Sequence, residues 1–313
     1  MAYKGLLRIR RSINCPTLTA VILITITLMH INGTSRPTFE PPRTVSKPQR
    51  DQQHRHIDGA KIRVPADGTN ENFSLPTKKP ILNWENFFDY IEEAAGCNNL
   101  KMFGGAERGR SGQIDGDKAV CLDTNVAPTP GSCIVLSFGI NNEWSFDDAM
   151  EQYGCKVYAF DPTMGEQAYL RGSNIHFYPW ALGGETGVAK FRGKNRTICT
   201  YRDILKKINE EKSVIDYLKI DVEGFEIDFF RNVLNDDVEL LANVKQIGME
   251  IHPGRSTTNR DKIWSQIRQL RSLHFSQVSS LPNVVAGNSY KFENKTVSQC
   301  YEILWVNEQF QGN

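Results

Sequence analysis

The sequence predicts an α/β domain, a mostly parallel sheet with helices on both faces, and three observations carry that prediction. Short continuous apolar runs such as Cys133–Ser137, Lys156–Phe160, Ile175–Tyr178 and Tyr217–Ile220 have the character of strands buried on both faces. Apolar stripes at helical spacing lie between and after them: Phe146, Ala149, Met150 and Tyr153; Tyr201, Ile204, Leu205 and Ile208; Ile227, Phe230 and Leu234. Finally, the first strand runs into Gly139 and the second into Asp161, a turn glycine and an acid at the ends of two strands joined by one helix.

At 313 residues with 40% hydrophobic and 23% charged side chains, the chain can bury a sizeable core as one large domain or two small ones. A formal charge of +1 offers no basic excess to neutralise phosphates, which argues against sequence-independent nucleic-acid binding. The cysteines at positions 15, 97, 121, 133, 155, 199 and 300 include no Cys-x-x-Cys pair, so a structural zinc is not expected. Six lie beyond the first apolar run, enough for three disulfides in an oxidising compartment, with buried free thiols in a cytosolic protein as the alternative.

Lys4, Arg8, Arg10 and Arg11 precede an apolar run from Cys15 to Ile31. At about 1.5 Å per residue the run spans on the order of 25 Å, near the short end of what crosses a bilayer. Positive charge ahead of it predicts a cytoplasmic tail at 1–14, a signal anchor at 15–31 and a lumenal body: a single-pass type II membrane protein of the ER or Golgi. A signal peptide cleaved to give a secreted protein is the rival reading, since Gly33, Thr34 and Ser35 follow the run. Sequons at Asn32, Asn72, Asn195 and Asn294 agree with lumenal exposure. Residues 32–80, rich in Pro, Gln, Arg, Lys and Asp without apolar periodicity, read as a flexible stem, leaving 81–313 as the folded domain.

The domain opens with Trp84, Phe87, Phe88, Ile91 and Ala95 at helical spacing behind Asn83 as cap. Residues 104–123 form a glycine-rich charged loop, either a mobile cover or a segment pinned by Cys97 and Cys121. After the strand at Cys133–Ser137, the Phe146 helix ends at Gly154 in the C-terminal glycine position. The third strand leads into Trp180 and Ala181; Trp180 stacks on a ligand base or packs in the core. A hairpin with Val188 and Phe191 follows, then a helix that Thr200 and Asp203 open in a capping-box pattern. Tyr217–Ile220 delivers Asp221 and Glu223 onto the turn at Gly224, ahead of the Ile227 helix. Val244–His252 is a strand ending in Glu250 and His252, Thr258 begins another helix, and Phe275–Val278 with Tyr301–Val306 close the sheet as an antiparallel pair.

In an open α/β sheet ligands collect beyond the carboxyl ends of the strands, where these acids stand. Gly139 lets backbone approach a ligand, the following helix turns its amino end toward it, and Asp161 can accept hydrogen bonds from ribose hydroxyls. An ordinary buried βα turn is the alternative, since one glycine sits where three are usual.

Val157–Pro162, the Trp180–Gly187 segment, Leu218–Gly224 and Met249–His252, in that order, resemble the FkbM-type S-adenosylmethionine-dependent methyltransferases. More narrowly, Ser137–Ile140 and Trp144–Phe146 are similar to the animal methyltransferase-like protein 24 group. The resemblance covers about residues 95 to 310 and implies a Rossmann-like class I methyltransferase fold with seven strands. It also implies S-adenosylmethionine at the first two strand ends and an acceptor hydroxyl on a glycan or small molecule, as in bacterial relatives that methylate sugars and polyketides. It places Gly139 near the methionine part of the cofactor and Asp161 on its ribose; Ser137, Glu143, Trp180 and Ala181 complete the expected cofactor side. The family's acid before the first glycine is Ser137 here, with Glu143 the nearest later carboxylate, and this departure bears on cofactor affinity.

Methyl transfer to oxygen needs an acceptor held in line and a group that takes its proton. The expected catalytic set is Asp221, Glu223, Glu250 and His252, with His252 or Asp221 as base and Glu223 or Glu250 orienting the hydroxyl. A divalent ion on some of these carboxylates is a further option. Two rivals stand beside the enzyme reading: a lumenal glycosyltransferase, because Asp221-x-Glu223 imitates a metal–nucleotide-sugar motif, and a binding module that keeps the fold without the chemistry.

Overall fold

The computed structural model describes residues 86–108, 113–165, 167–191, 193–283 and 288–310. The expected tail, anchor and stem, the sequons at Asn32 and Asn72, and Asn83 and Trp84 lie outside the described residues. Among the described residues, no helix is long and apolar enough to cross a membrane.

Two strands, β1 (Leu100–Phe103) and β2 (Lys118–Cys121), pair antiparallel ahead of the main sheet. The expected loop at 104–123 is therefore largely a ribbon, with a second short hairpin, Ala106–Arg108 with Gln113–Asp115, at its tip. The main sheet takes β3 (Ile134–Phe138), β4 (Lys156–Phe160), β5 (Tyr169–Arg171), β6 (Ile175–Tyr178), β7 (Tyr217–Ile220), β8 (Gln246–Ile251), β9 (Phe275–Pro282) and β10 (Tyr301–Asn307). Its order is β9-β10-β8-β7-β3-β4-β6-β5. The five central strands β8, β7, β3, β4 and β6 are parallel. β10 runs antiparallel to both its neighbours, as expected for the closing pair, and β5 runs antiparallel to β6. The sheet thus has eight strands where seven were expected, the edge strand β5 being one that no strand reading of the sequence included. From β3 the chain steps outward through β4 and β6, then returns to lay β7 and β8 on the other side, so the strand order reverses between β3 and β7.

The helices follow local signals. The first, α1 (Phe87–Glu92), buries Phe87, Phe88, Tyr90 and Ile91 but stops short of Ala95. Next, α2 (Ser145–Tyr153) ends on Gly154 at φ +110°, a conformation that costs a residue with Cβ steric strain. The Asp203 amide donates to Thr200 Oγ1 at 3.2 Å to start α3 (Tyr201–Ile208). After α4 (Glu226–Asp236), the Asn259 amide donates to Ser256 Oγ at 3.3 Å, so α5 (Thr257–Ser272) begins one residue before the expected Thr258.

Alternation along the strands builds two cores, one on each face of the sheet. Leu136, Phe138, Tyr158, Phe160, Leu218 and Ile220 pack with residues of α1, α3, α4 and α5. On the other face Val135, Val157, Ala159 and Tyr217 pack with Phe146 and Met150 of α2 and with Val120 and Cys121 of β2. Bridges Cys97–Cys121 and Cys133–Cys155 stitch this second face, with sequence separations of 24 and 22 residues. The first is the pin expected for the 104–123 segment. Cys199 is a buried free thiol, so the expectation of three bridges among six cysteines fails at that residue.

Phe138, Phe160 and Tyr178 are register neighbours on three parallel strands and stack at centroid spacings of 4.6 and 5.6 Å. Trp180 extends the ladder, 4.5 Å from Tyr178, with Lys207 over its ring. Trp180 is partly buried in this ladder.

Candidate functional site

Because β3, β4, β6, β7 and β8 are parallel, the residues just past their ends form one row: Gly139, Asp161, Pro179, Asp221 and His252. The strand-order reversal falls between Gly139 and Asp221. Gly139 has φ +83°, and a Cβ on it would lie 1.7 Å from the Asp221 carbonyl oxygen, so this position admits only glycine. The Gly139 amide donates to Phe160 O at 2.9 Å and the Asp221 amide to Phe138 O at 3.1 Å, fixing the three strand ends to one another.

On the β3–β4 side, Asp161 is 3% exposed and organises the turn. The amides of Ile140 and Asn141 donate to its Oδ2 at 3.0 and 2.7 Å, and the amide and hydroxyl of Thr163 donate to Oδ1 at 2.6 Å each. A carboxylate has about four lone-pair sites, and here each is taken. The expected ribose acceptor is thus a loop organiser in this form, and a ribose hydroxyl would have to displace Thr163. Glu143 Oε1 accepts from the Ser145 amide at 2.9 Å, which makes it an amino-terminal cap of α2. Ala181 pairs with Ile198 in a small three-stranded sheet, beside the Trp180 stack rather than in the row of strand ends. Ser137 is fully buried, and its hydroxyl lies beside the buried Asp147 carboxyl. Burial pushes the Asp147 carboxyl up to about 6 against the pull of Lys219.

The other side of the crevice is built from charge. Lys219, on buried strand β7, donates from Nζ to Gly139 O at 2.7 Å and stands 3.9 Å from Asp221 Oδ2. Lys118, 2% exposed on β2, reaches Asp221 Oδ2 at 3.1 Å and Glu302 Oε1 at 2.6 Å. Glu302 faces Glu250 across the β8–β10 pair, and oxygens of Asp221, Glu250 and Glu302 lie within 4.8 Å of one another. His252 Nδ1 is 2.8 Å from Oε1 of the buried Glu226, whose Oε2 accepts from the Gly224 amide at 2.7 Å. Its Nε2 sits 3.3 Å from Glu250 Oε2 and 3.8 Å from Glu223 Oε2, attracted by charge but without an aligned hydrogen bond. The Asn283 side chain donates to Glu250 Oε1 at 3.0 Å. All four expected catalytic residues therefore meet at one edge, and the expected cofactor residues divide between the Gly139 turn and the Trp180 strand.

The electrostatics separate their roles. Burial alone would raise the Asp221 carboxyl, but Lys118 and Lys219 hold it well below the usual carboxylate range. Burial would lower the His252 imidazole, yet Glu226 and Glu250 outweigh it and hold His252 well above its ordinary value. Of the two residues expected as base, Asp221 is tied to Lys118 and His252 is held by Glu226. Glu223 differs. Burial and the surrounding Asp221, Glu250 and Glu226 push its carboxyl up to about 7 against His252, although its side chain is 55% exposed. It sits on the turn at φ +54°, a strained conformation of the kind that clusters at functional sites.

Lys118, Lys219, Glu226 and Glu302 complete the site and were not read from the sequence as part of it. The available signals were Lys219 within the apolar run Tyr217–Ile220 and Glu302 within the closing strand, since charges rarely sit in buried strands unless paired. Lys118 gave none, because its partners stand 103 and 184 residues away in the chain.

The chain is similar to several known proteins. The “Probable methyltransferase-like protein 24” of Homo sapiens is 26% identical over 210 residues, covering 62% of this chain and 56% of that protein. The protein of the same name from Rattus norvegicus is 23% identical over 208 residues, with 61% and 56% covered. The chain thus spans 56% of the length of both relatives. Among solved structures, one from Thermoplasma acidophilum assigned to the methyltransferases aligns with TM-score 0.31 at 8% identity, covering 58% of this chain and 70% of that one. M. capricolum TrmK, in complex with S-adenosyl-homocysteine, aligns with TM-score 0.28 at 11% identity, covering 59% and 67%. The family described as “Methyltransferase domain” matches residues 66–299, most of the length, and the chain belongs to that family.

Proposed function

We propose that this protein is an S-adenosylmethionine-dependent O-methyltransferase of the FkbM type, with a class I sheet, acting on a hydroxyl of a glycan or small molecule in the secretory pathway. One observation carries the reading: Glu223 stands half exposed on the turn after β7, at φ +54° and 3.8 Å from His252, beside the strand-order reversal, with neighbouring acids pushing its carboxyl up. A base with a pKa near the working pH is what proton removal from a hydroxyl calls for. The fit of the cofactor rests on the Gly139 turn, which lies at the strand-order reversal with the amino end of α2 after it. When bound, S-adenosylmethionine supplies a methyl group on positively charged sulfur. Gly139 and the turn to α2 would hold it, with Lys219 fixing the Gly139 carbonyl. Glu223 would take the proton that the acceptor hydroxyl loses when it receives that methyl group. Protonated His252, locked by Glu226, keeps Glu250 and Glu223 oriented toward the acceptor. Lumenal placement is supported by two disulfides and by exposed sequons at Asn195 and Asn294.

A second reading, a binding module without chemistry, draws on the saturated Asp161 carboxylate and on Ser137 in place of an acid. Family membership weighs against a glycosyltransferase. Transfer of tritium from methyl-labelled S-adenosylmethionine to a pool of neutral glycans and polyols separates the readings. The enzyme reading expects labelled product, with Glu223→Gln losing on the order of 10²–10⁴ in rate and the wild-type rate rising with pH through about 7 as Glu223 ionises. No transfer to any acceptor, with cofactor binding intact, supports the module.

A further inference from the structure

We infer that Lys118 is the resident cation of the acceptor side: its ammonium takes the place a divalent ion would fill among Asp221, Glu250 and Glu302, and it positions Asp221 at the crevice so that the site works without a metal. Calling that edge the acceptor side rests on the methyltransferase reading; the occupancy itself does not.

Three carboxylate oxygens within 4.8 Å of one another match the spread of ligands around one hard cation, whose oxygen distances are roughly 2.0–2.6 Å. Such an acidic cluster is costly to bury unless a positive charge compensates it. Here the compensating charge belongs to the chain itself. Lys118 Nζ donates to Glu302 Oε1 at 2.6 Å and to Asp221 Oδ2 at 3.1 Å, with its side chain 2% exposed. A metal at the same centre would face an ammonium at contact distance, so the two occupants exclude one another.

The backbone that delivers Lys118 is fixed independently of the charges. The Cys121 amide donates to Gln246 Oε1 at 2.9 Å, and Gln246 Nε2 donates back to Cys121 O at 2.7 Å. Tyr217 Oη donates to Ala119 O at 2.8 Å, and the Cys97–Cys121 bridge anchors the far end of the strand. A strand held this way fixes the point from which the buried Lys118 side chain enters the cluster. Burial would pull the ammonium down, but Glu302, Asp221 and Glu250 hold it well above its ordinary value, so it stays charged. Within the cluster, burial and the neighbouring Glu250 and Asp221 push the Glu302 carboxyl up against Lys118. The proton that relieves the crowded negative charge is therefore held at Glu302, while Asp221, beside the crevice, remains ionised.

The test is titration of the full chain with Mn²⁺ followed by electron paramagnetic resonance. Wild type and Lys118→Arg should show no saturable site at millimolar Mn²⁺. Lys118→Met should gain one site on the order of a hundredfold tighter, the scale set by an uncompensated buried charge. Should Lys118→Met not fold by circular dichroism, Lys118→Met with Glu302→Gln removes the ammonium together with one carboxylate and should also bind Mn²⁺ above wild type. Wild type binding Mn²⁺ as tightly as the variants, or folded variants binding none, overturns the inference. S-adenosylmethionine plays no part in the signal, so its failure to bind would sink the methyltransferase reading and leave this result standing.

Discussion

The two flanks of the crevice solve the same problem with different materials. On the β3–β4 flank the polar groups are mostly backbone amides gathered by one carboxylate, Asp161, and the decisive residue is Gly139, which has no side chain at all. On the β7–β8 flank the groups are titratable side chains, Lys118, Asp221, Glu223, Glu226, Glu250, His252 and Glu302, each shifted or held by its neighbours. The first flank is held mainly by backbone hydrogen bonds. The second is a network whose charges depend on one another, where proton chemistry belongs.

That contrast can be broken from either side, and the largest effect is expected on the charged flank. His252→Gln leaves the buried Glu226 without its partner and should cost on the order of 3–5 kcal/mol at pH 6. The sign follows from His252 being raised: its contribution is fully present below the unfolded imidazole value, about 6.5, and is lost as pH rises through the folded value. Denaturant unfolding should therefore show the gap to wild type narrowing toward alkaline pH. Gly139→Ala comes next. With φ +83° and a backbone oxygen 1.7 Å from the new Cβ, it should cost on the order of 3 kcal/mol, equally at pH 6 and pH 9. Smallest is Asp161→Asn, which turns an amide nitrogen toward N–H donors and should cost about 1–3 kcal/mol, again without pH dependence over that range. A pH-dependent Gly139→Ala, or a pH-independent His252→Gln, would erase the distinction between the flanks.

The same contrast explains what could be read in advance. The α/β order was legible because strand and helix periods are local, and so were the Gly154 stop, the Thr200 cap and the row of acids at strand ends. β5 was not, since Tyr169–Arg171 is a three-residue exposed edge strand with no pattern to detect. The placing of Asp221, Glu223, Glu250 and His252 at one edge was legible because sequence position sets which strand end a residue occupies. Their division of labour was not, because it depends on Lys118 and Glu302, brought in by long-range pairing. Asp161 shows the same limit: its place at the end of β4 was predictable, but its capture by Ile140, Asn141 and Thr163 depends on loop geometry.

The most direct test of the central claim is calorimetric titration of the full chain with S-adenosylhomocysteine, run beside a uridine diphosphate sugar. A methyltransferase built on this crevice should bind the first with one-to-one stoichiometry and give no heat with the second. Silence with S-adenosylhomocysteine at millimolar concentration, or saturable binding of the nucleotide sugar alone, would contradict it.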